Sequence, residues 1–139
     1  MTYKNTSGTY RFRIVALGYL AAVATAALTA TIAMIAFDPS ALPHFLAFAI
    51  VGAVYTFVSG APGFALTWLL ARHLGISSFL YFIVAGVLNA ALALLIVGGS
   101  RGLELLTSEL GITSMVGGAT GGLAFWYVAR RLGAFAASR

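Results

Sequence analysis

Cysteine is absent from the 139 residues, which excludes disulfide bonds, thiolate metal sites and cysteine nucleophiles together. Charge is nearly absent as well, because charged side chains make up 8% of the chain, against about 25% in ordinary soluble domains. Apolar residues make up 61%. So few charged groups cannot cover the surface of a water-soluble domain of this length, whereas lipid tails accept an apolar surface. We therefore expect an integral membrane protein.

Four stretches lack charge for long enough to cross a bilayer, at approximately residues 14–37, 45–71, 79–97 and 112–129. A helix needs about 20 residues to span the hydrocarbon. The runs are continuously apolar rather than alternating as barrel strands do, so each is expected to be a helix. The sequence thus predicts an all-α fold, a four-transmembrane-helix bundle that forms a single domain over residues 1–139.

The basic residues predict the orientation of this bundle. With four spans, seven of the eight fall on one side of the membrane, namely Lys4, Arg11, Arg13, Arg72, Arg130, Arg131 and Arg139. Arg101 falls on the other side, together with Asp38, Glu104 and Glu109. Positive residues favour the cytoplasmic side, so both termini are expected in the cytoplasm.

The segment between the third and fourth spans has an amphipathic pattern. Residues 103–110 place Leu103, Leu106 and Leu110 on one helical face, with Glu104 and Glu109 elsewhere. This pattern is typical of a short helix that lies on the membrane surface. We therefore expect a short interfacial helix between helices 3 and 4.

Small residues recur at spacings of four along the predicted helices. The fourth helix carries two overlapping glycine pairs, Gly117 with Gly121 and Gly118 with Gly122, and the first carries a row of alanines at 22, 26 and 30. Lipid gives no hydrophobic drive between helices, so close backbone approach stabilises such bundles. We interpret the GxxxG glycines as a helix-packing face within the chain or, as the alternative, an interface with another subunit.

Residues 59–63, Ser-Gly-Ala-Pro-Gly, are the main irregularity within a span. Pro62 removes one backbone hydrogen bond, and the flanking glycines loosen the helix around it. A discontinuous helix here would expose backbone carbonyls to a substrate near the membrane midplane. The alternative is a kinked helix whose freed carbonyl is satisfied by Ser59 or a neighbouring helix.

Asn89 lies near the centre of the third predicted span. A buried amide there needs a partner, and Thr25, Thr29, Thr56 and Ser59 lie at a suitable depth. It either joins helices or binds a substrate. The candidate polar or substrate site is therefore Ser59, Pro62 and Asn89.

Features of an enzyme or a cofactor site are missing. Topology puts His44 and His73 on opposite faces of the membrane, so they cannot ligate one haem iron. A Ser-His-Asp set cannot be assembled on one side of the membrane, and the glycine-rich run 117–122 has no nearby lysine to complete a phosphate-binding loop. We expect no catalytic residues, no cofactor and no metal.

Comparison with small four-span families gives only a local resemblance. Small multidrug transporters carry a glutamate in the first span, which residues 14–37 lack, and dual-topology fluoride channels lack so strong a charge asymmetry. Residues 117–126 with Arg130 and Arg131 resemble the end of small inner-membrane proteins common in alphaproteobacteria. That resemblance implies no activity. The alanine, glycine and arginine usage is typical of a GC-rich bacterium, so a multi-pass bacterial inner-membrane protein is expected.

Two functional hypotheses follow. The first is a non-enzymatic accessory or scaffold subunit of a larger bacterial inner-membrane complex, since no ionisable residue lies within a span as most pumps require. The second is a small oligomeric channel or transporter with its polar site near Pro62 and Asn89. Expected partners are membrane lipids and either other membrane subunits or further copies of the chain. Nucleic acid is not expected, because the basic residues are dispersed at helix ends.

Overall fold

A computed structural model describes residues 6–135 of the chain, and every secondary-structure element within that range is helical. The α-helices are α1 (Thr6–Phe37), α2 (Phe45–Leu74), α3 (Phe79–Gly98), α4 (Gly102–Thr107) and α5 (Glu109–Arg131). Two 3₁₀ helices, Pro39–His44 and Gly99–Arg101, connect α1 to α2 and α3 to α4. Three of the four long helices begin and end within three residues of the predicted apolar stretches, whereas α1 begins eight residues before its stretch, at Thr6.

Three segments of the described chain are long and apolar enough to cross a membrane, Phe12–Phe37, Pro39–Leu74 and Phe79–Thr107. The fold is consistent with a helical membrane protein. The 23-residue α5 is long enough by itself but does not join this group. Its glycines lower its hydropathy, and its surface is the most covered of the four, so fewer of its side chains need to be compatible with lipid.

Each of the four long helices runs antiparallel to the long helix that precedes it in the chain. Ala22 approaches Gly121 and Ala30 approaches Gly117, so α1 and α5 point in opposite directions. Similar pairings join α2 to α1 and α3, and α3 to α5. One end of the bundle therefore carries Arg13, Arg72, Arg130 and Arg131, and the opposite end carries Asp38, Arg101, Glu104 and Glu109. Lys4, Arg139 and the side chain of Arg11 lie outside the described part of the chain.

The helix ends follow the local breakers in the sequence. Gly75 follows the last residue of α2, adopts a left-handed conformation (φ 67°) and donates its N–H to Ala71 O. Asp38 begins the first connection, where its Oδ1 accepts hydrogen bonds from the hydroxyl (2.6 Å) and backbone N–H (3.0 Å) of Ser40. These two bonds hold the pKa of the Asp38 carboxyl below its ordinary value.

The core of the bundle is centred on α5, which packs between α1 and α3. Its most buried residues recur every fourth position, at Thr113, Gly117, Gly121, Phe125 and Ala129. Near the arginine-rich end, Phe125 is 1% exposed and contacts the rings of Phe64, Phe82 and Trp68. This aromatic cluster connects α2 to α5 through side chains, because the backbones of these two helices do not approach each other closely.

Candidate functional site

The predicted glycine pairs lie on two different faces of α5, and each contacts another helix of the same chain. On the α1 face, a Cβ atom added to Gly117 would stand 2.7 Å from Ala26 O, and one added to Gly121 would stand 2.9 Å from Ala22 O. The partners belong to the predicted alanine row. Only glycine allows the two backbones to approach this closely.

On the other face of α5, the backbone of α3 approaches even more closely than that of α1. A Cβ added to Gly118 would overlap Gly86 O, and one added to Gly122 would overlap Phe82 O. The same holds in the other direction, since a Cβ added to Gly86 would overlap Gly118 O. In a single copy of the chain, both glycine faces of α5 are therefore occupied by α1 and α3.

The second helix is continuous through Pro62. α2 extends without interruption from Phe45 to Leu74, and Pro62 is exposed on its outer side. Ser59 Oγ donates a hydrogen bond to Tyr55 O in the preceding turn (2.7 Å). Tyr19 of α1 donates its hydroxyl to Phe57 O (2.7 Å), next to the carbonyl of residue 58 that proline leaves without its helical donor. The donors from Ser59 and Tyr19 therefore reach the carbonyls of residues 55 and 57 and not the one that the proline frees.

Asn89 of α3 points at α2. Its side chain packs directly on Gly63, where an added Cβ would overlap Asn89 Oδ1, and its Nδ2 donates to Thr67 Oγ1 at 3.4 Å. Thr67 was not among the partners expected from depth. Because residue 63 is glycine, there is space for the Asn89 amide. The irregular segment 59–63 of α2 therefore contacts the central asparagine of α3.

A cavity of about 450 Å³, partly open to the outside of the bundle, lies between the four long helices, and all four contribute to its wall. Ser59, Thr67 and Asn89 line it, whereas Pro62 does not. Of the three predicted site residues, the structure therefore brings Ser59 and Asn89 to one cavity and leaves Pro62 outside. Phe64, Phe82 and Phe125 form its floor at the arginine-rich end.

Three tyrosine hydrogen bonds fix α2 around this cavity, and sequence reasoning did not identify them. They are Tyr19 to Phe57 O (2.7 Å), Tyr81 to Thr67 O (3.0 Å) and Tyr55 to Ala93 O (3.4 Å). Tyr19 and Tyr55 lie inside the predicted spans, and Tyr81 lies at the start of the third. A phenol there needs a partner, so the depth of these tyrosines in the sequence was a usable signal for helix contacts.

The described residues contain no group of three or more histidine, aspartate or glutamate side chains that could hold a metal ion. The described aspartate, glutamate, arginine and histidine side chains lie towards the two ends of the bundle, and none of them lines the cavity. The site offers hydroxyl, amide and aromatic groups on small apolar walls, and such groups bind ligands by shape and hydrogen bonding. The chain matches no family model, and no curated protein or solved structure resembles it at a significant level.

Proposed function

We propose that this chain is a non-enzymatic membrane protein that binds a small molecule in its central cavity, as a small channel or transporter does. The observation that supports this function is the cavity itself. Its volume of about 450 Å³ falls in the range of about 300–1,000 Å³ typical of small-molecule sites.

A cavity-filling substitution tests this function. Ala85 lines the cavity, so Ala85→Phe should displace a bound molecule, whereas Ala65→Phe adds the same ring to the exposed side of α2. We expect native mass spectrometry of the protein, extracted without detergent, to detect a stoichiometric small molecule on the wild type and on Ala65→Phe. The molecule should be absent from Ala85→Phe. Equal retention by both variants would contradict a function in the cavity.

We also propose that the chain crosses a bacterial inner membrane four times, with both termini in the cytoplasm. The antiparallel order of the helices and the arginines at one end support this topology. Ser77 and Ser100 are exposed at opposite ends, and the cysteine-free sequence allows single-cysteine labelling. A membrane-impermeant maleimide should label Ser100→Cys in spheroplasts, and Ser77→Cys only after lysis. The reverse pattern would invert the orientation.

In this topology α4 lies at the periplasmic surface of the inner membrane. Leu103 is 75% exposed and points away from the bundle, while Arg101 and Glu104 beside it are also exposed. An exposed leucine between charged neighbours suits the boundary between headgroups and acyl chains. Spin labels at residue 103 should report a depth just below the phosphates, and a water-exposed label there would contradict an interfacial α4.

A second candidate function is that of an accessory subunit in a larger membrane complex. It is supported by the wall of the cavity, where the described residues include no acidic or basic side chain able to carry a proton or ion. Native mass spectrometry distinguishes the two functions. A stoichiometric second polypeptide would favour the subunit. A homo-oligomer or monomer carrying only a small molecule would favour the channel or transporter.

A further inference from the structure

The wall of the cavity restricts the charge of what it can bind. Among the described residues that line it, none is an aspartate, glutamate, lysine, arginine or histidine. A charged ligand would leave water without gaining a counter-charge, which is strongly unfavourable in a medium of low polarity. The occupant is therefore neutral, and the predominantly alanine, glycine and aromatic wall requires most of it to be apolar.

Three hydroxyl groups of the wall have partners in their own helix. Thr31 donates to Ala27 O (2.8 Å), Thr113 to Leu110 O (3.1 Å) and Ser59 to Tyr55 O (2.7 Å). Asn89 differs, because it is the one amide of the described wall and can donate two hydrogen bonds and accept two.

The contact between Asn89 and Thr67 uses little of the hydrogen-bonding capacity of the Asn89 amide. The N–O distance of 3.4 Å is well beyond the usual 2.9–3.0 Å of a protein hydrogen bond. Within residues 6–135 it is the single hydrogen bond made by the Asn89 side chain, which is partly exposed to the cavity. A polar atom of a ligand can therefore bond the amide, the Thr67 hydroxyl, or both.

We propose that the cavity binds a neutral, lipid-soluble molecule with an apolar chain and one hydrogen-bonding group, an alcohol or carbonyl, held by Asn89 and Thr67. This inference rests on the proposed function and specifies its ligand class. The apolar part lies along the alanine and glycine wall or against the aromatic floor of Phe64 and Phe125. The amide at mid-depth recognises the polar group, since lipid offers that group no competing partner.

Four photoreactive diazirine probes of one chain length test the inference. They end in a hydroxyl, methyl, carboxylate or trimethylammonium group, and are titrated against the full-length protein in lipid nanodiscs. Peptide mapping then separates cavity labelling from labelling of lipid-facing positions. Thr67→Val removes the hydroxyl at nearly constant shape, and Thr29→Val is its matched control, because Thr29 lies outside the cavity wall. Asn89→Leu is the second variant.

We expect saturable cavity labelling by the hydroxyl probe, with an apparent affinity about 2- to 10-fold weaker in Thr67→Val and in Asn89→Leu, as for one lost hydrogen bond. Thr29→Val should match the wild type. Equal binding of the methyl and hydroxyl probes, unchanged in both variants, would overturn the ligand class but leave the proposed function standing. Preferential labelling by either charged probe would also overturn it. Absence of saturable labelling by every probe would instead reject the proposed function.

Discussion

Helices α5 and α2 are held in the same bundle by opposite means. α5 contacts α1 and α3 through glycines, backbone against backbone, with no space for a methyl group at Gly118 or Gly122. α2 stands away from α5 and is fixed by tyrosine hydroxyls and aromatic rings that extend around a cavity. The backbone of α5 is held directly against its neighbours. Long side chains hold α2 at a greater distance from α5, and the cavity lies between them.

The largest effect that tests this comparison comes from adding one methyl group to each helix. Gly118→Ala should destabilise the protein by about 1–3 kcal/mol, because the methyl overlaps Gly86 O and stands 3.0 Å from Ala90 Cβ. Gly52→Ala in α2 meets only Ala27 Cβ at 3.9 Å. It should stabilise by about 0.5–1 kcal/mol, since alanine favours the helix.

The free energy of unfolding, measured by SDS titration with tryptophan fluorescence, checks both changes. Ala24→Leu on the exposed side of α1 is a control for added bulk and should unfold like the wild type. If Gly52→Ala destabilised the protein as strongly as Gly118→Ala, the two helices would be packed alike and the comparison would fail.

A smaller effect is expected where α2 does come close to another helix. Gly63→Ala pushes against the Asn89 side chain, whose Cγ would stand 2.8 Å from the new methyl. We expect a loss of about 1 kcal/mol or more. Asn89→Ala removes the obstacle, so the double variant should recover part of the loss, with a coupling energy of about 0.5–3 kcal/mol.

Additive effects in this double-mutant cycle, measured by the same SDS titration, would mean that residues 63 and 89 do not interact. The matched pair Gly60→Ala and Asn89→Ala serves as the control. A methyl at residue 60 would stand 3.5 Å from the Tyr19 hydroxyl and would not reach Asn89. That pair should be additive.

Removal of the tyrosine hydroxyls should weaken α2 in a graded way. Each Tyr→Phe change deletes one hydrogen bond, at about 0.5–1.5 kcal/mol. The expected order is Tyr19 (2.7 Å), then Tyr81 (3.0 Å), then Tyr55 (3.4 Å). Hydrogen exchange of α2 amides should accelerate most in Tyr19→Phe, less in Tyr81→Phe and least in Tyr55→Phe, while exchange of α5 amides is unchanged. Tyr127→Phe at the exposed end of α5 is the control, and equal acceleration of α5 would contradict a role confined to α2.

The smallest effect concerns the connection before α2. Hydrogen bonds from Ser40 lower the pKa of Asp38, so the ionised carboxylate stabilises this turn. The contribution is present above the ordinary pKa and is lost as pH falls through the lowered one, below about pH 4. Asp38→Ala should lower the thermal midpoint slightly at pH 7, and this difference should decrease as pH falls below the ordinary pKa of the carboxyl. Glu104→Ala is the control at the same end, and a difference between wild type and Asp38→Ala that did not decrease with falling pH would contradict the assignment.

The long helices could be predicted from the sequence because they follow continuous apolar runs, which are a local property of the chain. The partner of Asn89 was predicted wrongly, because depth in the membrane does not determine which side of a helix faces a neighbour. Thr67 lies one turn beyond Gly63, and only the antiparallel pairing of α2 with α3 brings it to the amide.

The cavity could not be predicted from residue types. Its walls use alanines and glycines whose packing differs, so Gly52, where an added Cβ would meet only Ala27 Cβ at 3.9 Å, and Gly118, where it would overlap a carbonyl, look alike in the sequence. What distinguishes them is the distance between helix axes, which depends on the whole bundle. The internal tyrosines were the local sign of a wider separation, since a hydroxyl on a long side chain can bridge helices that small residues cannot.

The position of α5 between α1 and α3 has a consequence for synthesis. The ribosome makes α1, α2 and α3 first, and these helices include the most apolar segments of the chain. The helix that fills the space between the first and third arrives after them, with glycine surfaces that lipid stabilises poorly. Until then, the nascent protein consists of helices whose best packing partner does not yet exist. A chain that ended before residue 109 would therefore leave exposed to lipid the surfaces of α1 and α3 that α5 covers in the complete bundle.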